Sequence, residues 1–418
     1  MKSAGIWEDL YHSVWIPQIN PVLTGFNANI DRIIPVDTGT MRSFKRNTGP
    51  AFDAVFDRLI HSMRYCSADE VFISEPSVYN TLVDIFSKSG TLMIGGQAGI
   101  AAVHLRKFGI HSVTCAVPGA GPLTCDMLQG AGVIPLAFGS AAENRSDTIH
   151  LIFEYPPHLV PVADGVVPRS NRFIVSPVHP PSTVLIPDDA QDAFFNRTAS
   201  CQRAFLSGYQ YLRTEQEFIS AARQLQQIRN TNPLMRTHLE CVSFADRFVL
   251  TMMLRHTIPH VDSIGLNEYE LKLLMNTLRG MDNEPAGSLP LSPVACVRET
   301  IALADATGVP RVHLHTFGYY ILIIKPGILQ PEFSRNALLL AARVTADAAG
   351  GNEQILSQDG LSAYSAVRTA LGTDQTTGIF GVGDRQVVLV PTFISQNINK
   401  TTGLGDILSS TAFVADQF

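Results

Sequence analysis

Near the C-terminus, Gly403-Leu404-Gly405-Asp406 follows Asn399-Lys400-Thr401-Thr402 and runs directly into the apolar, small-residue stretch Ile407 to Phe413. Glycines followed by such a run predict a loop turning into a helix, which aims free backbone N–H groups and the positive end of the helix dipole at one point. Such a point binds anions. Asp406, at the helix start, sets a carboxylate beside it, where it can take a proton from a hydroxyl that attacks phosphorus. The structural alternative is that Asp406 only caps the helix, worth about 1 kcal/mol.

Other residues offer complementary chemistry. Asn27-Ala28-Asn29-Ile30-Asp31 leaves the end of an apolar strand with polar side chains at alternate positions. Amides that donate and accept, with a carboxylate that accepts from adjacent hydroxyls, suit a polyol, and an Asx-rich turn is the bland reading. Gly95-Gly96-Gln97-Ala98-Gly99 lets a ligand approach the backbone, with Gln97 in bonding reach, unless the glycines serve a close helix crossing. Two acidic motifs follow, His238-Leu239-Glu240 and Asn267-Glu268-Tyr269-Glu270, and in the second Asn267 and Glu270 also spell a capping box. Val312-His313-Leu314-His315-Thr316 reads as a strand with polar residues on alternate sides.

The elements that must position these groups alternate. Pro21 to Phe26, Thr91 to Ile94, His111 to Pro118, Ala204 to Leu206, Tyr320 to Ile324 and Gln386 to Pro391 read as buried strands, and helices follow at Ala101 to Leu105, Met127 to Gly132, Glu215 to Ile228 and Leu338 to Ala349. β-α-β spacing of this kind predicts a mainly parallel sheet with helices on both faces. Phe52, Val55, Phe56, Leu59, Ile60 and Met63 mark a helix, whereas residues 33 to 50 lack helical periodicity and read as an excursion. Thr148 to Tyr155 and Arg172 to Val175 alternate with period two and have no helix between them, which predicts an antiparallel, one-sided sheet in a second domain.

Composition narrows the class. A chain of 418 residues predicts one large domain with a smaller one, and its net charge of -6, with basic residues scattered, gives no reason to expect nucleic acid. Six cysteines, widely spaced and without a C-x-x-C pair, fit free thiols in a reducing compartment. The N-terminus lacks the apolar core of a signal peptide and no stretch is long and apolar enough to span a membrane, so the expected location is cytoplasmic. Oligomeric state is not legible.

Taken in order, Asn-x-Asn-x-Asp at 27 to 31, Gly-Gly-Gln-Ala-Gly-Ile from 95, His-x-Glu at 238, Asn-x-x-Glu at 267, His-x-His-Thr at 313 and Gly-x-Gly-Asp at 403 resemble the archaeal ADP-dependent glucokinase and phosphofructokinase family of the ribokinase superfamily. The resemblance runs from about residue 21 to the end, and Ile149 to Tyr155 with Pro168 to Ile174 look like the family's lid. It implies an α/β, ribokinase-like, Rossmann-type large domain (residues 1–32, 51–146 and 178–418) and a small β-rich lid (33–50 and 147–177). It further implies ADP and a hexose or hexose phosphate as substrates, with AMP released.

In that family pattern Asp406 is the base, and the amides of Gly403, Leu404 and Gly405 cradle the moving phosphoryl group. Asn29, Asp31, Gly96 and Gln97 hold the sugar, Glu240 and Glu270 serve Mg²⁺ partly through water, and Arg172 meets the donor phosphates from the lid. His315 and the strand around Val390 stand on the nucleoside side. A Glu before the Gly-Gly-Gln strand favours glucose, and either Glu70 or Glu75 fits that position; basic lid residues, here Arg145, Arg169 and Arg172, favour a sugar phosphate. Glucose is the expected acceptor, with dual specificity open. The rivals are an ATP-dependent ribokinase-type sugar or nucleoside kinase, against which His-x-Glu speaks, and a silent sugar- or nucleotide-binding protein on the same fold, against which the full set of acids speaks. A dehydrogenase is disfavoured because no strand precedes G-x-G-x-x-G.

Overall fold

The computed structural model describes residues 2–46, 49–65, 69–138, 147–157, 167, 170–178, 184–242, 246–281, 290–350, 354–372, 374, 376–395 and 403–417. In chain order the strands are Val22–Gly25 (β1), Asn29–Pro35 (β2), Asp69–Ile73 (β3), Thr91–Gly95 (β4), Val113–Ala116 (β5), Ile134–Leu136 (β6), Ile149–Tyr155 (β7), Asn171–Pro177 (β8) and Arg203–Leu206 (β9). They continue with Arg236–Glu240 (β10), Ser263–Asn267 (β11), Arg311–His315 (β12), Tyr319–Ile324 (β13), Gln354–Leu356 (β14), Ile379–Val382 (β15), Arg385–Pro391 (β16) and Phe393–Ser395 (β17).

Ten of these form one sheet in the order β15-β16-β13-β12-β11-β10-β9-β1-β5-β6. From β6 to β12 every neighbouring pair is parallel, and β13, β16 and β15 complete the edge antiparallel. Runs such as Tyr319–Ile324, buried at every position, are what a sheet covered by helices on both faces demands. The expected mainly parallel α/β sheet is therefore present. Helix ends follow their sequence signals: Thr214 and Glu217 close a capping box at the start of Glu215–Thr231.

A second sheet, β3-β8-β7-β2-β4, has its own core, in which the rings of Phe44, Phe86 and Phe153 meet at centroid distances of 5.1 to 5.2 Å. β7 and β8 pair antiparallel as their alternation predicts, while β2–β7 and β3–β8 are parallel. Membership of this sheet differs from the sequence reading in three places. Thr91–Gly95 pairs antiparallel with β2 and belongs to the small sheet, not to the parallel one. Asn29–Pro35 is itself a strand and not a departing turn, and Thr38–Arg46 is a helix. The physical reason is common to all three: these short segments take their state from the partner they pack on, and Met41 and Phe44 bury one face of a helix whose mean composition is polar. The small sheet thus draws on residues 29–35, 69–73 and 91–95 as well as 149–155 and 171–177.

Among the described residues no helix is long and apolar enough to cross a membrane. Because Phe153 is fully buried among three other rings, Phe153→Ala should destabilise the small sheet by about 3–5 kcal/mol. Hydrogen exchange is the measurement: protection should fall across 29–95 and 149–177 and persist in β9 to β13, and a uniform loss would show that the two cores open as one unit.

Candidate active site

Gly403 ends the loop in the left-handed region (φ +75°) and is itself the N-cap residue of the helix Leu404–Val414. Asp406 is the third residue of that helix, so the capping alternative fails: it lies three positions past the N-cap, and no side-chain cap bond is formed. Helix geometry leaves the N–H groups of the first turn, at Leu404, Gly405 and Asp406, without intrahelical acceptors. Gly405 is exposed, and a Cβ there would meet nothing nearer than His315 Cε1 at 3.9 Å, so its backbone can be approached. Asn399 to Thr402 lie outside the described residues.

Asp406 is the focus of charge. Burial in surrounding protein pushes its carboxyl up to about 8, Glu240 and Asp31 add to the rise, and His315 and Arg172 act against it. These residues come from β2, β8, β10 and β12, so both sheets converge on one point. Glu240 has the opposite fate. Burial alone would push its carboxyl up, but hydrogen bonds from His238 (Nε2 to Oε2, 3.0 Å) and His315 (Nε2 to Oε1, 3.3 Å) outweigh it and hold it at about 2. Ser409 donates to the same Oε2 at 2.5 Å.

The sugar-side candidates gather on the small sheet. Asn29 Nδ2 donates to Asp31 Oδ1 at 2.7 Å, and Asn29 Oδ1 is buried without a hydrogen-bond partner among the described residues. A Cβ on Gly96 would come within 2.7 Å of that same oxygen, so glycine is what lets β4 close on Asn29. Gln97 Nε2 reaches the carbonyl of Cys241 at 3.3 Å while its Oε1 is buried and has no partner among the described residues. Arg172 Nε is likewise buried and unpaired. Unpaired donors and acceptors on one wall are costly unless a ligand completes them.

The two glutamates separate. Glu70 accepts from Ser176 Oγ at 2.6 Å; its surroundings push its carboxyl up, Ser176 and Arg172 oppose the shift, and together with Asp31 it acts on the hydroxyl of Tyr211. Glu75 is exposed, holds Ser77 Oγ at 2.8 Å and is not brought to the site. Its place just before the helix Pro76–Ile85 turns it outward.

Glu270 completes the capping box, accepting from the Asn267 N–H at 2.8 Å, and still acts with Glu240 and Glu268 on His315. Burial opposes charge on His315, but the Glu240 bond and these three acids outweigh it and raise its basicity. Val390 departs from expectation: it is fully buried in the large-sheet core, paired with Tyr320, so its side chain cannot meet a nucleoside. Arg145 and Arg169 lie outside the described residues. Among the described residues no three metal-ligating side chains are gathered. Sequence reasoning missed Ser409 and Tyr211; Ser409 was readable as the residue one helical turn from Asp406, whereas nothing in the sequence marks Tyr211.

A carboxylate poised near neutrality, an anion-binding helix start and a wall of unpaired polar atoms describe phosphoryl transfer to a hydroxyl. Comparison with known proteins agrees: the sequence model of the ADP-specific phosphofructokinase/glucokinase conserved region matches residues 20–415. The chain belongs to this family. An ADP-dependent glucose/glucosamine kinase from Pyrococcus furiosus is 28% identical, with 98% of each chain covered. An ADP-specific phosphofructokinase from Methanosarcina acetivorans is 23% identical over 96% of this chain and 94% of its own. Among solved structures, an ADP-dependent kinase in complex with fructose 6-phosphate and ADPβS superimposes with a TM-score of 0.80 at 23% identity, covering 98% of this chain and 96% of its own, which shows the shared fold. The molecule is accordingly an ADP-dependent hexose kinase of α/β fold.

For this kinase Asp406→Asn should cut turnover at least ~10²-fold while ADP binding, measured by calorimetry, stays near normal. Stability supplies a second readout. The folded state holds the Asp406 proton more tightly than the unfolded chain, whose ordinary value is 3.8, so wild-type stability falls as pH rises from there through about 8. The variant should therefore melt like wild type near pH ~3, below the unfolded value, and increasingly above it as pH rises to ~8; curves that coincide across this range would contradict a raised Asp406.

Proposed function

We propose that the protein transfers the β-phosphoryl group of ADP to a hydroxyl of glucose, releasing AMP, with Asp406 taking the hydroxyl proton. The observation that carries the choice of acceptor is Glu70, a small-sheet carboxylate beside Arg172 that, with Asp31, acts on the hydroxyl of Tyr211 from the large core. Carboxylates accept from sugar hydroxyls, and the charge that helps glucose repels the dianion of a sugar phosphate. The relative named for glucose and glucosamine is also the more similar of the two described. In this reading the wall of Asn29, Asp31, Gly96 and Gln97 holds the ring hydroxyls. The free amides of Leu404 and Gly405 meet the charge that develops on the transferring oxygens, and Arg172 meets the donor phosphates.

Mg²⁺ is the proposed cofactor. Glu240 and Glu270 offer the hard oxygen donors it requires, and both are already held by protein: Glu240 Oε2 by His238 and Ser409, its Oε1 by His315 at 3.3 Å, and Glu270 Oε2 by the Asn267 amide. Carboxylates held this way suit an ion that keeps most of its waters and is met partly through them. When bound, it supplies positive charge against the phosphates. A cytoplasmic setting, where ADP and hexose meet, belongs to the same proposal.

Product formation from glucose and from fructose 6-phosphate, each with Mg-ADP and Mg-ATP, tests the assignment. Glu70→Gln should lower kcat/KM for glucose by roughly 10- to 100-fold, the scale for losing a charged acceptor to a hydroxyl. Its value for fructose 6-phosphate should rise or hold. A wild type that prefers fructose 6-phosphate would transfer the assignment to the phosphofructokinase branch. For the metal, Glu270→Gln should raise the Mg²⁺ concentration giving half-maximal rate and leave sugar affinity alone, whereas an unchanged requirement would confine Glu270 to its capping box.

A further inference from the structure

Beneath the C-terminal helix, the face of the large sheet is polar where an α/β core is ordinarily apolar. β12 contributes Arg311, His313 and His315 at alternate positions, β10 contributes His238 and Glu240, and β11 contributes Ser263; of these only His315 has any appreciable exposure. Charges buried in this way are weak contributors to stability, because desolvation offsets their attraction. Their bonds, however, run in one line. Asp416 Oδ2 accepts from Arg311 Nε at 2.9 Å, Arg311 Nη1 donates to Ser263 Oγ at 2.9 Å, Ser263 Oγ meets His238 Nδ1 at 2.8 Å, and His238 Nε2 meets Glu240 Oε2 at 3.0 Å.

We propose that Arg311 is a positioning residue for phosphoryl transfer, orienting the Glu240 carboxylate through Ser263 and His238 and anchoring the helix that carries Asp406 through Ala412 and Asp416. The direction of the bonds follows from Arg311, whose guanidinium can only donate. Ser263 accepts that N–H and so has its own proton for His238 Nδ1. The ring proton of His238 then sits on Nε2 and is given to Glu240 Oε2. Ser409 donates to the same oxygen, which leaves Oε1 turned toward His315 and the site. Gly265 makes room for this: a Cβ there would lie 2.1 Å from Glu240 Oε2 and 2.8 Å from His238 Nε2. Arg311 Nη2 also holds the carbonyl of Ala412 at 3.1 Å, so the end of the helix remote from Asp406 is fixed by the same group.

The inference rests on the kinase reading of Glu240 and Asp406, and its test is chosen to fail separately from that reading. Arg311→Met can unfold the chain by stranding Asp416, so Ser263 is the residue to change, since the ion pair survives its loss. Ser263→Ala should lower kcat about 10-fold or more, the scale for losing a partner behind a site carboxylate, in a chain that melts lower because Arg311 Nη1 loses its acceptor but is still folded at the assay temperature. Ser263→Thr, which keeps the hydroxyl, should restore it. In a Glu240→Gln background Ser263→Ala should add nothing further. Long-range ¹H–¹⁵N spectra of the unliganded, histidine-labelled full chain should place the His238 proton on Nε2, with the resonance identified by its loss in His238→Gln. An undiminished kcat in folded Ser263→Ala, the same loss in both backgrounds, or a proton on Nδ1 would each overturn the proposal. A wild type with no kinase activity would sink the functional reading, and the spectra would still decide the relay.

Discussion

The buried pair Arg311 and Asp416, neither with any solvent exposure, is the contact on which the placement of the site depends. Asp416 lies just past the end of the C-terminal helix, and its carboxylate is shared with Ser334 while its carbonyl accepts from Arg203 Nη2 at 3.0 Å. Two guanidiniums therefore gather where the helix carbonyls point, the end at which positive charge is favoured. Taking away one partner leaves an uncompensated charge in the core, which costs far more than the pair contributes. The helix is thus held at one end by obligatory bonds and presents its other end, with Asp406, to ligands.

From that arrangement follows a division of labour between two carboxylates in one site. Asp406 receives no compensating hydrogen bond among the described residues and is pushed up to about 8, while Glu240 receives histidine and serine bonds and is held at about 2. One is poised to take a proton near neutral pH and the other to remain charged. Environment alone separates the two roles, since the groups are chemically equivalent.

The reaction also joins two independently packed sheets. Asp406, Glu240 and His315 belong to the large sheet and its covering helix, whereas Asp31, Glu70 and Arg172 belong to the small one. Asp406, the proposed base, and the small-sheet residues proposed to face the acceptor therefore have separate cores behind them, so in that reading acceptor choice can vary without disturbing the helix start. Glu70 illustrates the point, since its hydrogen-bond partner Ser176 comes from the neighbouring strand of that sheet.

Much of this was legible in the residues. Long buried runs such as Tyr319–Ile324, the Thr214 and Asn267 caps, and the order of the polar motifs are local or sequential features, and they determined a mainly parallel α/β architecture and the family pattern of its site. Pairing was not legible. Thr91–Gly95 could have joined either sheet, because a short apolar strand carries no mark of its neighbour, and Thr38–Arg46 became a helix only because the small core receives Met41 and Phe44. Likewise Glu70 and Glu75 are five residues apart and chemically identical. Only the fold turned one toward Ser176 and Tyr211 and the other toward solvent, since position after a strand register or a helix start depends on contacts made far along the chain. The raised Asp406 and lowered Glu240 belong to the same class: sequence supplied both acids, and the dielectric and donors around each came from strands separated by tens to hundreds of residues.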